Sequence, residues 1–424
     1  MIKRIIRSSL FRSSGIYTIA SIISASIPFL LIPILTRKLS PIDYGIVSMA
    51  TILVSIVTPF IGVSAQGAIN RRYFDGEQNN FPRYVGNCFI LLVISSLVFF
   101  IIFLLFNNLI SSHTAVPGIW LYAILFTAIS QFISLILLTI WQAKVEAFKY
   151  GLLQVIQSCL NFGLTLYFIF ILNYGWEGRI LGQMLAVFFI AILAIIILIK
   201  NKFVVFQYNR EDIKDALNFG LPLIPHTLGG LLIAFTDRFL ITNMIGINET
   251  GVYTVAYQIG SVIGLINASF INAYVPWLYA KLNLNNNKVK VQIVKFTYLY
   301  FAILILGAFL SVFLLPWFIG FFAGKSYKAA SLYTFWILLG YVFNGMYLMI
   351  AGFIFYVKKT SVLSKITLIT ALCNIPICYV FILYYGTLGA AISMSVIYAI
   401  TFICTWIFSN RVFKMPWLTF LRPI

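Results

Sequence analysis

Long apolar runs separated by short polar tracts make up almost the whole chain. About 20 apolar residues form a helix that crosses ~30 Å of hydrocarbon, and twelve runs meet that length. They lie at Ser14–Leu35, Ile46–Ala65, Val85–Phe106, Gly118–Trp141, Gly151–Leu172, Ile180–Ile199, Phe219–Ile245, Gly251–Val275, Ile293–Pro316, Ser331–Val357, Val362–Tyr384 and Leu388–Phe408. The first run follows Lys3, Arg4, Arg7 and Arg12 as a signal peptide would. It is longer than the apolar stretch of such a peptide and ends at Thr36-Arg37-Lys38 without a cleavage signature, so it reads as the first crossing. The pattern predicts an all-α integral membrane protein with about twelve transmembrane helices.

Composition points to the same solvent. Of 424 residues, 62% are hydrophobic and 9% charged, whereas a water-soluble surface needs about a quarter charged residues. The net charge of +19 would suggest nucleic acid in a soluble protein, but the cations fall between the apolar runs and act as topology signals. No nucleic-acid partner is expected; the bilayer is. Placing the N-terminus in the cytoplasm puts 23 of the 29 lysines and arginines in inner segments, leaving Arg37, Lys38, Arg179, Lys325 and Lys328 outside and Arg238 within a helix. Both termini are then cytoplasmic. Cys88, Cys159, Cys373, Cys378 and Cys404 lie inside apolar stretches with no metal-ligand spacing, so no disulfide framework, metal or cofactor is indicated. No extramembrane segment exceeds about 20 residues, there is no phosphate-cradling glycine loop, and the only histidines are His113 and His226, so the chain is not expected to be an enzyme.

The two halves share spacings. Asp43-Tyr44-Gly45-Ile46 with Ala50 returns as Glu249-Thr250-Gly251-Val252 with Ala256, at an offset of 206. Tyr174-Gly175-Trp176-Glu177-Gly178 returns as Tyr385-Gly386-Thr387-Leu388-Gly389, at an offset of 211. Each match maps one crossing onto the sixth after it, which predicts two parallel six-helix bundles, 1–200 and 218–424, joined by a cytoplasmic linker, 201–217.

Candidate functional residues are polar groups inside these runs. The seventh run holds Pro222, Pro225, His226, Gly229, Gly230, Asp237 and Arg238. Ionisable groups at that depth cost several kcal/mol unless they meet partners or a cavity. His226 and Asp237 are eleven residues apart and share a face, suiting a proton- or cation-responsive pair beside a phosphate-binding Arg238; a structural Asp–Arg pair explains the same residues. Gln154, Ser158, Asn161 and Thr165 form one stripe, and Thr127, Gln131 and Ser134 nearly form another. Such amides and hydroxyls suit sugar hydroxyls in a wet lumen, or interhelical hydrogen bonds. Arg71, Arg72 and Lys144 at inner helix ends suit an anionic lipid headgroup, or simple positive-inside anchoring.

Several of these segments together resemble one family. Arg37-Lys38-Leu39-Ser40-Pro41-Ile42-Asp43-Tyr44-Gly45, Phe219-Gly220-Leu221-Pro222, Asp237-Arg238-Phe239, Glu249-Thr250-Gly251-Val252-Tyr253 and Tyr385-Gly386 to Gly389-Ala390-Ala391 resemble the Wzx-type O-antigen and polysaccharide flippases of the multidrug/oligosaccharidyl-lipid/polysaccharide superfamily. The resemblance implies two six-helix lobes around a central cavity. It also implies alternating-access transfer of undecaprenyl-pyrophosphate-linked repeat units from the cytoplasmic to the periplasmic leaflet of a bacterial inner membrane, with a polysaccharide polymerase and a chain-length regulator as further partners. A cation-coupled drug or small-molecule antiporter of the same superfamily is the alternative; it would need more intramembrane acid than Asp237 supplies.

Overall fold

The computed structural model describes residues 9–75, 80–284, 286–357 and 359–417; a few side chains within them, His226 included, lie outside the description. Every regular element among the described residues is helical. In chain order these are α1 (Ser9–Lys38), α2 (Pro41–Val57), α3 (Ala65–Phe74), α4 (Phe81–Leu105), α5 (Asn107–Thr114), α6 (Ile119–Ala143), α7 (Ala147–Leu166), α8 (Trp176–Lys200), α9 (Arg210–Gly220), α10 (Leu223–Met244), α11 (Ile247–Gly260), α12 (Val262–Leu282), α13 (Asn287–Phe322), α14 (Ala330–Tyr356) and α15 (Thr360–Val412). The chain divides into two compact units, Met1–Leu232 and Ile233–Ile424.

Among the described residues nine helices are long and apolar enough to span a bilayer, and two more spans are bent pairs, Pro41–Val57 with Ile61–Phe74 and Arg210–Leu232 with Ala234–Met244. One of the nine, Val362–Val412, is not a single rod. Gly386 leaves helical geometry (φ 60°, ψ −144°) and divides α15 into two arms. Each arm has about 25 residues, enough for ~30 Å of hydrocarbon. Counted this way the crossings number twelve, as the apolar runs predict.

The second crossing is broken where an unbroken helix was expected. After Pro59, Gly62 (φ 65°), Val63 (φ 54°) and Ser64 (φ 51°) adopt left-handed conformations, and α2 and α3 meet at 56°. Such conformations cost energy for a valine and persist only where neighbours fix them. Here the Ser95 hydroxyl accepts from the Gly62 N–H at 2.8 Å, and the Phe132 ring lies so close to Gly62 that a Cβ there would sit 2.0 Å from it.

The internal repeat has a structural counterpart at helix starts. Asp43 is the third residue of α2 and closes a capping box with Ser40, its Oδ2 accepting from the Ser40 N–H at 3.0 Å. Glu249 is likewise the third residue of α11. There the N-cap is Gly246, and the carboxylate instead accepts from Tyr333 (2.9 Å) and Thr387 (3.2 Å), tying α11 to α14 and to the break in α15. Gly389 lets the second arm of α15 approach the first: a Cβ would lie 2.0 Å from the Phe381 carbonyl oxygen.

The segment expected to be a cytoplasmic linker, 201–217, packs against α4. Asn209 caps α9, accepting from the N–H groups of Glu211 and Asp212. Arg83 on α4 pairs with buried Asp212 at 2.8 Å, Tyr84 donates to Asp215 at 2.8 Å, and Asn87 donates to the Gln207 carbonyl while accepting from the Asn209 N–H. Gly86 allows the Val205 carbonyl to touch α4.

Candidate functional site

The first unit contains a polar cavity of about 280 Å³, lined by Ser24, Thr58, Gln131, Ser134, Leu135, Leu138, Gln154, Gln157 and Ser158. The stripe on α6 thus meets the stripe on α7, and Gln131 and Gln154 share one space. Ser24 from α1 and Thr58 from the end of α2 complete it. Thr58 donates to Gln131 Oε1 at 3.3 Å, and Gln154 Nε2 reaches the Tyr150 hydroxyl at 3.3 Å, both long for hydrogen bonds. Ser24 Oγ and Gln154 Oε1 are buried with no protein partner among the described residues. An unmatched buried polar atom costs about 1–3 kcal/mol, so the packing here leaves polar atoms that it does not satisfy. The lining holds neither a carboxylate nor a cation.

Asn161, one turn beyond Ser158, does not face the same partners. Its Oδ1 accepts from Arg179 Nη1 at 2.6 Å, and Thr165 Oγ accepts from the same nitrogen at 3.0 Å. The hairpin can bring α8 this close because Gly182 has no side chain; a Cβ there would lie 2.7 Å from the Thr165 backbone nitrogen. The pattern of apolar runs places Arg179 in an outer loop. In the structure it is the fourth residue of α8, in the first turn of that helix, and half-buried.

The basic residues expected at the inner mouth are held by aromatic rings. Lys144 Nζ lies 3.9 Å from the centre of the Phe203 ring, Arg72 lies 5.6 Å over Tyr84, and Arg71 lies 5.8 Å over Phe219 with a 3.8 Å ion pair to Asp75. All three rings belong to α4 or to the 203–220 segment. These cations therefore help to fasten that segment, and the Arg71–Asp75 pair, being exposed, contributes little. They do not meet Gln131, Gln154 or Asn161 in one cluster.

In the second unit, Asp237 and Arg238 are both buried on α10. Their side chains do not form the ion pair that their adjacency suggests. Asp237 accepts from the Tyr253 hydroxyl at 2.6 Å and from the Arg238 backbone N–H at 2.8 Å. The Arg238 guanidinium turns away, lies 3.8 Å over the Tyr257 ring and donates from Nη1 to the Ala234 carbonyl at 2.9 Å, while its Nε is buried without a partner. The Tyr257 and Tyr341 hydroxyls are 2.9 Å apart. A cavity of about 20 Å³, enough for one water-sized occupant, lies against Asp237, Tyr257, Asn374, Ser393 and Tyr398. The expected partner of Asp237, His226, has a side chain outside the description. Sequence reasoning missed the tyrosines that hold this pair, although Tyr253 and Tyr257 stand at the four-residue spacing that puts them on one face of α11.

The chain and its fold have known relatives. A model of the family described as polysaccharide biosynthesis protein matches residues 10–280, and a second, MatE, matches residues 222–380. The chain is 27% identical over 396 residues to an uncharacterized membrane protein of Haemophilus influenzae, covering 92% of each chain. It is 23% identical to a Shigella flexneri protein described as "Putative O-antigen transporter", covering 92% of this chain and 94% of the relative. Among solved structures it is similar to the lipid II flippase MurJ in an inward closed conformation (TM-score 0.73, 17% identity, 95% of this chain and 87% of the other). It is also similar to an inward-facing multidrug resistance MATE family transporter of the MOP superfamily (TM-score 0.72, 17% identity, 91% and 94%).

Proposed function

This chain belongs to the polysaccharide biosynthesis protein family, and on that premise we propose that it flips lipid-linked saccharide repeat units of the undecaprenyl-pyrophosphate class from the cytoplasmic to the periplasmic leaflet by alternating access. At the coarser level it is a multi-pass membrane transporter of the multidrug/oligosaccharidyl-lipid/polysaccharide superfamily. The observation that carries the finer reading is the charge-free cavity of amides and hydroxyls in the first unit. Sugar hydroxyls donate and accept, which suits the amides and hydroxyls of this lining, whereas a cationic drug would seek a carboxylate that it lacks. In this reading Arg238, Arg71, Arg72 and Lys144 receive the pyrophosphate, Gln131, Gln154 and Asn161 the saccharide, and Asp237 couples transport to an ion. The saccharide polymerase and chain-length regulator are its proposed partners on the far side.

The double variant Gln131→Leu/Gln154→Leu tests the cavity. It removes two amides whose internal hydrogen bonds are long, so the protein should keep its thermal unfolding midpoint. Losing two sugar contacts of about 0.5–1.5 kcal/mol each should slow saccharide transfer roughly 5- to 150-fold. Wild-type transfer by this variant would remove the cavity from the transport path.

The proposed site is the bacterial inner membrane, with both termini cytoplasmic. Reporter fusions should place Asn107–Pro117 and Tyr384–Gly389 outside and Asn201–Asp215 inside, following the 23 cations assigned to inner segments. A cytoplasmic Tyr384–Gly389 turn would overturn this orientation.

A further inference from the structure

One intramembrane cation is unaccounted for by the roles above. Arg179 uses both hydrogens of Nη1 on neutral oxygens, Asn161 Oδ1 and Thr165 Oγ. A guanidinium has five N–H donors. The other three, on Nε and Nη2, make no hydrogen bond among the described residues, and no carboxylate there forms an ion pair with this arginine. Nε and Nη2 are the edge of the fork that grips a carboxylate or phosphate with two parallel hydrogen bonds. The Asn161 amide nitrogen beside it is also uncommitted among the described residues.

The surroundings point the same way. Of the acids at that end of the unit, Asp43 is engaged in the α2 capping box, and Glu177, in the same first turn of α8 as Arg179, forms no ion pair with it among the described residues. Lys38, at the end of α1, lies 5.7 Å over the Phe170 ring, just past the end of α7. With the N-terminus cytoplasmic, Lys38 and Arg179 stand at the outer end of the first unit, where cations are disfavoured by the distribution that orients the rest of the chain. A cation kept on the disfavoured side, in a spanning helix and without an ion pair among the described residues, is open to an anion from elsewhere. The stripe on α7 leads there: Gln154, Gln157 and Ser158 line the saccharide cavity, Asn161 follows one turn on, and Thr165 lies about 10 Å beyond Ser158 along the helix.

We propose that Arg179 and Asn161 form an anion-receiving subsite at the outer end of the first unit, taking a phosphate- or carboxylate-class group of the transported molecule as it leaves the cavity. The proposal rests on the flippase reading. It adds a release-side contact in the first unit, whose other proposed phosphate contacts, Arg71, Arg72 and Lys144, stand at the inner mouth, so that an anion drawn in there meets a further binding position before exit. Two groups share this chemistry: the pyrophosphate of the lipid carrier and an acidic sugar of the repeat unit.

The test uses the full-length protein in nanodiscs of neutral phosphatidylcholine, titrated calorimetrically with inorganic pyrophosphate and, separately, with glucuronate. The wild type should bind at least one of them. Arg179→Gln should bind that anion about 10- to 100-fold more weakly, the loss expected for a charge-assisted hydrogen-bond pair. Arg179→Lys should fall between the two, because a point charge replaces a fork incompletely. Lys328→Gln, which removes an exposed cation assigned to the same membrane side, should match the wild type. Should Arg179→Gln fail to insert, Asn161→Leu, which leaves the arginine in place, should still weaken binding by about 10-fold. Binding of pyrophosphate alone identifies the carrier headgroup as the occupant, and binding of glucuronate alone an acidic sugar. Equal affinity in wild type and Arg179→Gln, or no binding of either anion by the wild type, overturns the subsite. Equal affinity in the two proteins removes the subsite and leaves the flippase reading standing, whereas a wild type that binds no pyrophosphate also counts against the phosphate roles of Arg238, Arg71, Arg72 and Lys144.

Discussion

Arg238→Ala should abolish saccharide export while leaving a folded, inserted protein. The guanidinium is 4% exposed, yet its contacts are soft: one hydrogen bond to the Ala234 carbonyl, the face of Tyr257 and no ion pair. Truncation forfeits a cation–π contact of about 0.5–2 kcal/mol and relieves the unpartnered Nε, so the stability change is small. If that arginine receives a pyrophosphate, the same truncation removes charge-assisted bonds of about 1.5–3 kcal/mol each, and two of them correspond to a fall in transfer of at least roughly 100-fold. Arg238→Lys should restore part of the activity, since an ammonium can sit over Tyr257 but cannot grip two oxygens in one plane. The measurement is transfer rate against thermal unfolding midpoint for the three proteins. Wild-type transfer by Arg238→Ala would make this arginine structural and leave Arg71, Arg72 and Lys144 to bind phosphate.

Asp237→Asn should separate transport from its driving gradient. Asparagine keeps an oxygen for the Tyr253 hydroxyl and for the Arg238 N–H, so the local framework survives. What it loses is the charge beside the one-water cavity, where a proton or small cation would be taken up and given back. Under an imposed proton gradient the wild type should accelerate and Asp237→Asn should transfer at a rate that ignores the gradient. Equal acceleration in both proteins would exclude Asp237 as the coupling group. The geometry narrows how coupling can work: protonation cannot act by releasing the Arg238 guanidinium from the carboxylate, since the two are not paired. The hydrogen bond from Tyr253 offers a route for it, through the packing of α10 on α11.

The twelve crossings were legible because a run of twenty apolar residues is the length that hydrocarbon demands and that water penalises, and the acid at the start of α2 and α11 was legible because helix starts favour it. The stripes on α6 and α7 were legible as polar faces, but not which members would share a cavity. That depends on how two helices rotate against each other, and it put Gln131 and Gln154 together while giving Asn161 to Arg179. The break in the second crossing carried a signal, Pro59 followed by Gly62, in a run read as one helix. Apolar count dominated that reading, and the left-handed turn needs Ser95 and Phe132 from other helices to hold it. Hydropathy put Arg179 at the edge of a run but could not show its partners, because a charge near the end of a run is assigned to the loop. Only its bonds to α7 show that it belongs to the bundle. The linker was legible as a polar segment but its partners were not: its acids are matched by Arg83 and Tyr84, more than 120 residues earlier, a separation that no local pattern reveals.

The central claim is that a lipid-linked saccharide crosses the membrane through this protein, and leaflet exchange in proteoliposomes measures it most directly. Purified protein is reconstituted with a fluorescent lipid-linked oligosaccharide present in both leaflets, and an impermeant quencher is added outside. The account predicts that the quencher-protected half becomes accessible faster than in protein-free vesicles, with Arg238→Ala indistinguishable from protein-free vesicles. A protected fraction that stays at the protein-free level with the wild type, while the same vesicles expel a cationic dye under an ion gradient, would contradict it and assign the chain to drug export.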